Sequence, residues 1–240
     1  MLRDSHHNQI NRVISQGDVD NSSQLRLFGS DRNVITDGSF SSSGGQNASL
    51  HDSHDNRLER NNFSNSNGGA LSLLMSDHNT IRSNMTGSEA GGIELRYGSA
   101  NLIEDNQGTG SFGGGPADGI DVLYADQTTL LANRVGAITV MSSTATAVRN
   151  NLVTETGSWQ EGIFVAADSR QTTIDGNQVR GFGLDGIDVD AASTVLTNNT
   201  ANDNGELGIE AVPGVIDGGG NRASGNTDPA QCLNVMCSAG

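Results

Sequence analysis

Glu94 and Asp121 stand at the centres of two matching triplets, Ile93-Glu94-Leu95 and Ile120-Asp121-Val122. Each is followed three residues later by a tyrosine, Tyr97 and Tyr124, the only two in the chain. Arg96 lies two places after Glu94, and His51 holds the equivalent place two repeats earlier. Carboxyl groups stacked about 5 Å apart repel, so one is pushed towards its protonated form and the two share a proton. A separation of about 5 Å also suits the carboxyl pair of a retaining glycosidase. The same two carboxylates could act as hard-oxygen ligands for Ca²⁺ and bridge it to a uronate sugar, which makes Glu94 and Asp121 the candidate metal ligands as well. In a lyase or epimerase, Arg96 would neutralise the uronate carboxylate, while Tyr97, Tyr124 or His51 moved the proton. The tyrosine pair also suits plain sugar binding. The bland alternative is a polar outer surface on which Glu94 pairs with Arg96, an arrangement worth little.

These residues meet only if their triplets stack. The triplet belongs to a template that recurs along the chain: often a glycine, then aliphatic, any residue, aliphatic. Gly92-Ile93-Glu94-Leu95, Gly119-Ile120-Asp121-Val122, Gly162-Ile163-Phe164-Val165, Gly186-Ile187-Asp188-Val189 and Gly208-Ile209-Glu210-Ala211 are the regular copies, and looser ones begin at Leu25, Ala48, Leu71 and Ile138. A second aliphatic usually follows ten residues on, and an asparagine three residues after that: Asn61, Asn84, Asn106, Asn133, Asn151, Asn177 and Asn198. In the last copy this spacing takes Val195 as the aliphatic. A period of about 20 to 30 residues with short alternating runs marks a solenoid. Alternation sends both aliphatics of a triplet to one face and the middle residue to the other, which is a strand pattern. Parallel strands then stack like positions about 4.8 Å apart. The asparagines are expected to hydrogen-bond from coil to coil and to occupy sharp turns, whose left-handed backbone Asn tolerates.

With these repeats the chain resembles the right-handed parallel β-helix repeat proteins of the pectin-lyase-like superfamily, over roughly residues 8 to 226. The implied fold is an all-β, right-handed parallel β-helix solenoid of about nine to ten coils. The implied setting is carbohydrate chemistry on an outward strand face. The middle row of that face reads Arg26, Ser49, Ser72, Glu94, Asp121, Thr139, Phe164, Asp188 and Glu210, and two positions later come Phe28, His51, Leu74, Arg96, Leu123, Met141, Ala166, Asp190 and Val212. The segment from Gly108 to Gly119 is placed to overhang Asp121, and Trp159 lies in a similar loop. Asp185, Asp188 and Asp190 have no basic or aromatic neighbour on their own strand and read as a solvated face. Specific signatures of relatives are missing. Asn226-Thr227-Asp228 stands in the tail without the other polygalacturonase elements, the Asp-Pro-His-Glu of mannuronan epimerases is absent, and a chain without lysine cannot be a lysine-dependent lyase.

Composition narrows the setting. All thirteen basic residues are arginine and the net charge is -15, which argues against nucleic acid, whose binders carry a basic stripe, and against anionic membranes. No apolar run is long enough to insert in a membrane. Gly108-x-Gly110-x-x-Gly113 matches a dinucleotide fingerprint but leads into a strand rather than the helix that would cradle phosphate. Residues 1–240 read as a single β-helix domain that begins inside a coil, so an N-terminal portion, and with it an export signal, is expected upstream. Residues 227–240 form a C-terminal tail in which Cys232 and Cys237 are expected to form a disulfide, suited to an exported protein, with two reduced thiols as the alternative. The expected role is an exported, secreted or cell-surface protein directed at a polysaccharide or cell-surface glycan, as a lyase, epimerase or hydrolase. It requires no cofactor, with Ca²⁺ as the optional one. The competing role is a non-enzymatic β-helix for adhesion or spacing.

Overall fold

A computed structural model describes residues 1–17, 23–42, 44–64, 68–87, 91–108, 119–154 and 160–239. Their secondary structure is entirely β, wound as a parallel solenoid of about nine turns. Eleven strands stack in strict coil order in the first sheet, from Leu2–Arg3 through Ala48–His51, Ile93–Arg96, Ile120–Leu123 and Ile187–Val189 to Cys232–Leu233. A ten-stranded sheet from Gln9–Asn11 to Ile216–Gly219 forms a second wall. The third wall is five-stranded from Arg134–Val135 to Arg222–Ser224. It continues towards the N-terminus as single bridges through Gln107, Met85 and Asn62 to Ser39.

The register explains why short triplets suffice. Leu50, Leu73, Leu95, Val122, Val140, Val165, Val189 and Ala211 are successive partners in the first sheet, and all are buried. Each such side chain stabilises by about 1.5–3 kcal/mol, and stacking like on like leaves no gap between coils. The opening glycines serve close approach. A Cβ on Gly186 would lie 2.5 Å from Asn204 Nδ2 and 2.7 Å from the Gly208 carbonyl of the next coil.

At the turn after the second wall, each asparagine N–H donates to Oδ1 of the asparagine one coil on, at 2.8–3.0 Å, from Asn61 through Asn84, Asn106, Asn133, Asn151, Asn177 and Asn199 to Asn221. Asn198 is not in this column. Ile174 pairs with Leu196, not Val195, because Leu196 is the residue that is fully buried. The asparagine three places on is therefore Asn199, while Asn198 is exposed, with φ at 55° and its amide donated to Asp175. A second column, not anticipated from the spacing, runs before the second wall through Asn8, Asn33, Asn56, Asn79 and Asn101, linked at 2.9 Å. In later coils Thr128, Thr146, Thr172 and Thr194 take over the same turn position. Cys232 and Cys237 form a disulfide in the tail.

Candidate functional site

The strands Ile93–Arg96 and Ile120–Leu123 pair in parallel, with Glu94 opposite Asp121. Since neighbouring strands lie about 4.8 Å apart, the two carboxyl-bearing side chains are adjacent on the outer face. Arg96 grips Glu94, Nε to Oε1 at 3.0 Å and Nη2 to Oε2 at 3.1 Å. Asp121 instead bonds the Thr139 side chain in the following coil. Although the residue is exposed on the outer face, desolvation by its neighbours raises the Asp121 carboxyl above its ordinary value and the Glu94 charge adds to the rise, while Thr139 and Arg96 oppose it. The pair is thus asymmetric, with one carboxylate neutralised by a guanidinium and the other biased towards its proton-carrying form.

Tyr97 and Tyr124 end their strands in the left-handed region, φ 55° and 53°, which turns both rings outward. Their N–H groups are held by the Leu123 and Met141 carbonyls of the following coils. The rings stack with centroids 5.1 Å apart and planes at 17°. Each covers part of the other's face, and more than half of each residue stays exposed. His51 stands apart from this patch: its rung partners are Leu74 and then Arg96, two coils on. It packs edge-on against Phe28 at 4.9 Å and lies 3.8 Å from Asp52. The structure therefore brings together Glu94, Arg96, Tyr97, Asp121 and Tyr124, with His51 about 10 Å away along the axis. Residues 109–118 of the overhanging segment and Trp159 lie outside the described residues. Among the described residues, no three His, Cys, Asp or Glu side chains are grouped to hold a metal ion.

In the acidic set at the other end of the same face Asp190 is exposed as its sequence suggests, whereas Asp185 is buried and Asp188 half-buried. Asp185 is only 5% exposed and accepts the Leu207 N–H at 2.7 Å. Burial, with a side-chain hydrogen bond to Glu210 and the charges of Glu210 and Asp188, pushes its carboxyl up to about 7, the Leu207 bond opposing. Asp188 is also pushed to about 7, by burial first and then by Asp190, Glu210 and Glu161. Its rung neighbours are Phe164 and Glu210. The signal was present in the middle row of the repeat, where Phe164, Asp188 and Glu210 are consecutive; it is invisible along any single strand.

A family model described as right handed beta helix region matches residues 1–135, 29–179 and 118–230. No curated protein sequence matches the chain. Among solved structures, an alginate lyase from Paenibacillus sp. str. FPU-7 superposes with a TM-score of 0.57 at 14% identity, covering 97% of this chain and 91% of the lyase. The catalytic domain of a GH87 alpha-1,3-glucanase in complex with nigerose gives 0.50 at 11% identity, covering 98% of this chain and 49% of that domain. The periplasmic alginate epimerase AlgG gives 0.47 at 12% identity, covering 97% of this chain and 72% of the epimerase. This chain thus spans nearly the length of the lyase but about half that of the glucanase domain. At these identities the likeness is one of fold alone; the family match over most of its length shows that the chain belongs to the right-handed β-helix family.

Proposed function

We infer that this protein is a carbohydrate-active β-helix that processes a polysaccharide laid along the outer face of its eleven-stranded sheet. The observation that carries the reading is the in-register pair Glu94 and Asp121 on the outer face, one neutralised by Arg96 and the other raised by desolvation beside its neighbours. Such a pair supplies what glycan cleavage or epimerisation requires, a proton donor beside a fixed charge. Asp121 donates or accepts the proton, Arg96 orients an anionic group, and Tyr97 with Tyr124 holds the sugar. The solved structures of similar fold that are named for alginate lysis and alpha-1,3-glucan cleavage agree with this substrate class. Export is part of the proposal, supported by the Cys232–Cys237 disulfide, since such bonds persist in oxidising compartments.

One observation favours the competing role in adhesion or spacing. Arg96 already satisfies Glu94 on an exposed face, as a plain polar surface would. A panel of acidic and neutral polysaccharides separates the two, reading unsaturated-uronate absorbance and reducing ends together, with and without Ca²⁺. Turnover that disappears in Asp121→Asn supports the enzyme; turnover unaltered in Asp121→Asn and Arg96→Ala removes the site. Silence on every polymer from folded protein moves the assignment to the structural role.

A further inference from the structure

Five arginines of this acidic chain, Arg32, Arg57, Arg60, Arg82 and Arg96, pair with carboxylates. The other eight of the thirteen enter no ion pair among the described residues, and two of these, Arg3 and Arg26, stand close together at the N-terminal end of the first sheet. Both line a cleft of about 580 Å³ on the outer face, together with Phe28, Gln46, Ser49 and His51. That volume lies within the roughly 300–1,000 Å³ of small-molecule sites. Register assembles the lining: Arg3, Phe28 and His51 are successive partners in one row, and Arg26 and Ser49 in the next. The Arg3 guanidinium carbon sits 5.2 Å from the centre of the Phe28 ring, against which the His51 ring packs edge-on. Among the described residues, Asp4 follows Arg3 in the chain and Asp52 lies 3.8 Å from His51 Nε2.

We propose that this cleft is a subsite for an anionic sugar unit, one bearing a carboxylate or a sulfate. Arg3 and Arg26 offer forked donors that match such planar or tetrahedral anions. The Phe28 ring offers an apolar surface for the C–H face of a sugar, and the Gln46 amide and Ser49 hydroxyl offer hydrogen-bond partners for sugar hydroxyls. In a chain of net charge -15, two uncompensated guanidiniums in one concavity form a local exception to a field that repels anions. The cleft lies on the same face as the Glu94 pair. From Arg26 the row passes Ser49 and Ser72 to Glu94, three rungs or about 14 Å, with small polar side chains between. A polymer along the axis therefore reaches both places. The proposal rests on the polysaccharide reading above and narrows its substrate to an acidic glycan.

Calorimetric titration with three oligosaccharides of equal length, an oligouronate, a sulfated one and a neutral one, tests it on the full chain. The oligouronate or the sulfated sugar should bind and the neutral one should not. Arg26→Gln and Arg3→Gln, two exposed positions, should each weaken that binding about tenfold with an unchanged circular dichroism spectrum, and Arg222→Gln, an exposed arginine on the third wall, should leave it in place. Whichever anionic sugar binds identifies the source of the charge. Equal binding of the neutral sugar, unchanged affinity in both arginine variants, or no anionic binding to wild type overturns the subsite. Binding that persists while no polymer is turned over overturns the catalytic reading alone; turnover without a contribution from Arg3 or Arg26 overturns the subsite alone.

Discussion

Asn133 accepts the Asn106 backbone N–H on its Oδ1 at 3.0 Å and donates its own N–H to Asn151 Oδ1 at 2.8 Å. Its Nδ2 is fully used as well, by the Ile103 carbonyl at 2.8 Å and by Asn151 Oδ1 at 3.1 Å. Every polar atom of this buried side chain is therefore part of a column that ties one coil to the next.

Replacing a central member orphans a buried backbone group in the preceding coil. Asn133→Ala leaves the Asn106 N–H buried without a partner, at about 1–3 kcal/mol, and takes a side-chain donor from the Ile103 carbonyl. A lowered denaturant midpoint is expected for Asn133→Ala, and only a small change for the exposed Asn198→Ala. Equal effects would sink the assignment of Asn199 to the column.

The later coils hold the opposite case. The buried hydroxyls of Thr146, Thr172 and Thr194 find no hydrogen-bond partner in the turn position that asparagine fills in earlier coils. Thr172→Val keeps the shape and removes a desolvated hydroxyl, so stability should be unchanged or rise by about 1 kcal/mol. A clear loss in thermal unfolding would show that the hydroxyl is satisfied.

Acid should stabilise the C-terminal coils. An unfolded aspartate titrates near 3.9, whereas Asp185 and Asp188 are raised to about 7 in the fold. Between those values the folded protein binds more protons than the unfolded chain, so stability falls as pH rises. The contribution is complete below about pH 4 and gone above about pH 7. Melting temperature should decline across this window and less steeply in Asp188→Asn; an identical slope in the variant would assign the trend to general charge repulsion.

Asp121→Asn should lower kcat by about 10²–10⁴-fold, the usual worth of a positioned acid or base, with far-UV circular dichroism unchanged. Because desolvation by its neighbours raises the Asp121 carboxyl, a reaction that needs its proton loses rate as pH rises through that raised value. The variant should lack this alkaline limb, and a retained limb would place the acid elsewhere.

Tyr97 separates binding from folding. Its left-handed backbone costs an L-residue about 1–2 kcal/mol, close to the ~0.5–1.5 kcal/mol of an aromatic stack. Tyr97→Gly relieves one and loses the other, so stability should barely move while KM rises about tenfold. An unchanged KM would remove the tyrosines from sugar binding.

The alternation of Ile93-Glu94-Leu95 and its copies determined the solenoid from sequence alone, because a period of two on a repeating template leaves one way to bury the aliphatics. It also determined the company of Glu94, Asp121, Tyr97 and Tyr124, since equal positions in consecutive repeats must stack. Tertiary structure decided the rest. Whether Val195 or Leu196 entered the core depended on packing against Ile174, where one residue of slip exchanges inside for outside. The elevation of Asp185 and Asp188 came from excluded water and from Glu210 a coil away, and the addition of Arg3 to the Phe28–His51 row from the pairing of the first strand. Local pattern fixes which side of a strand faces inward; proximity across coils, desolvation and uncompensated charge exist only once the chain has closed its turns.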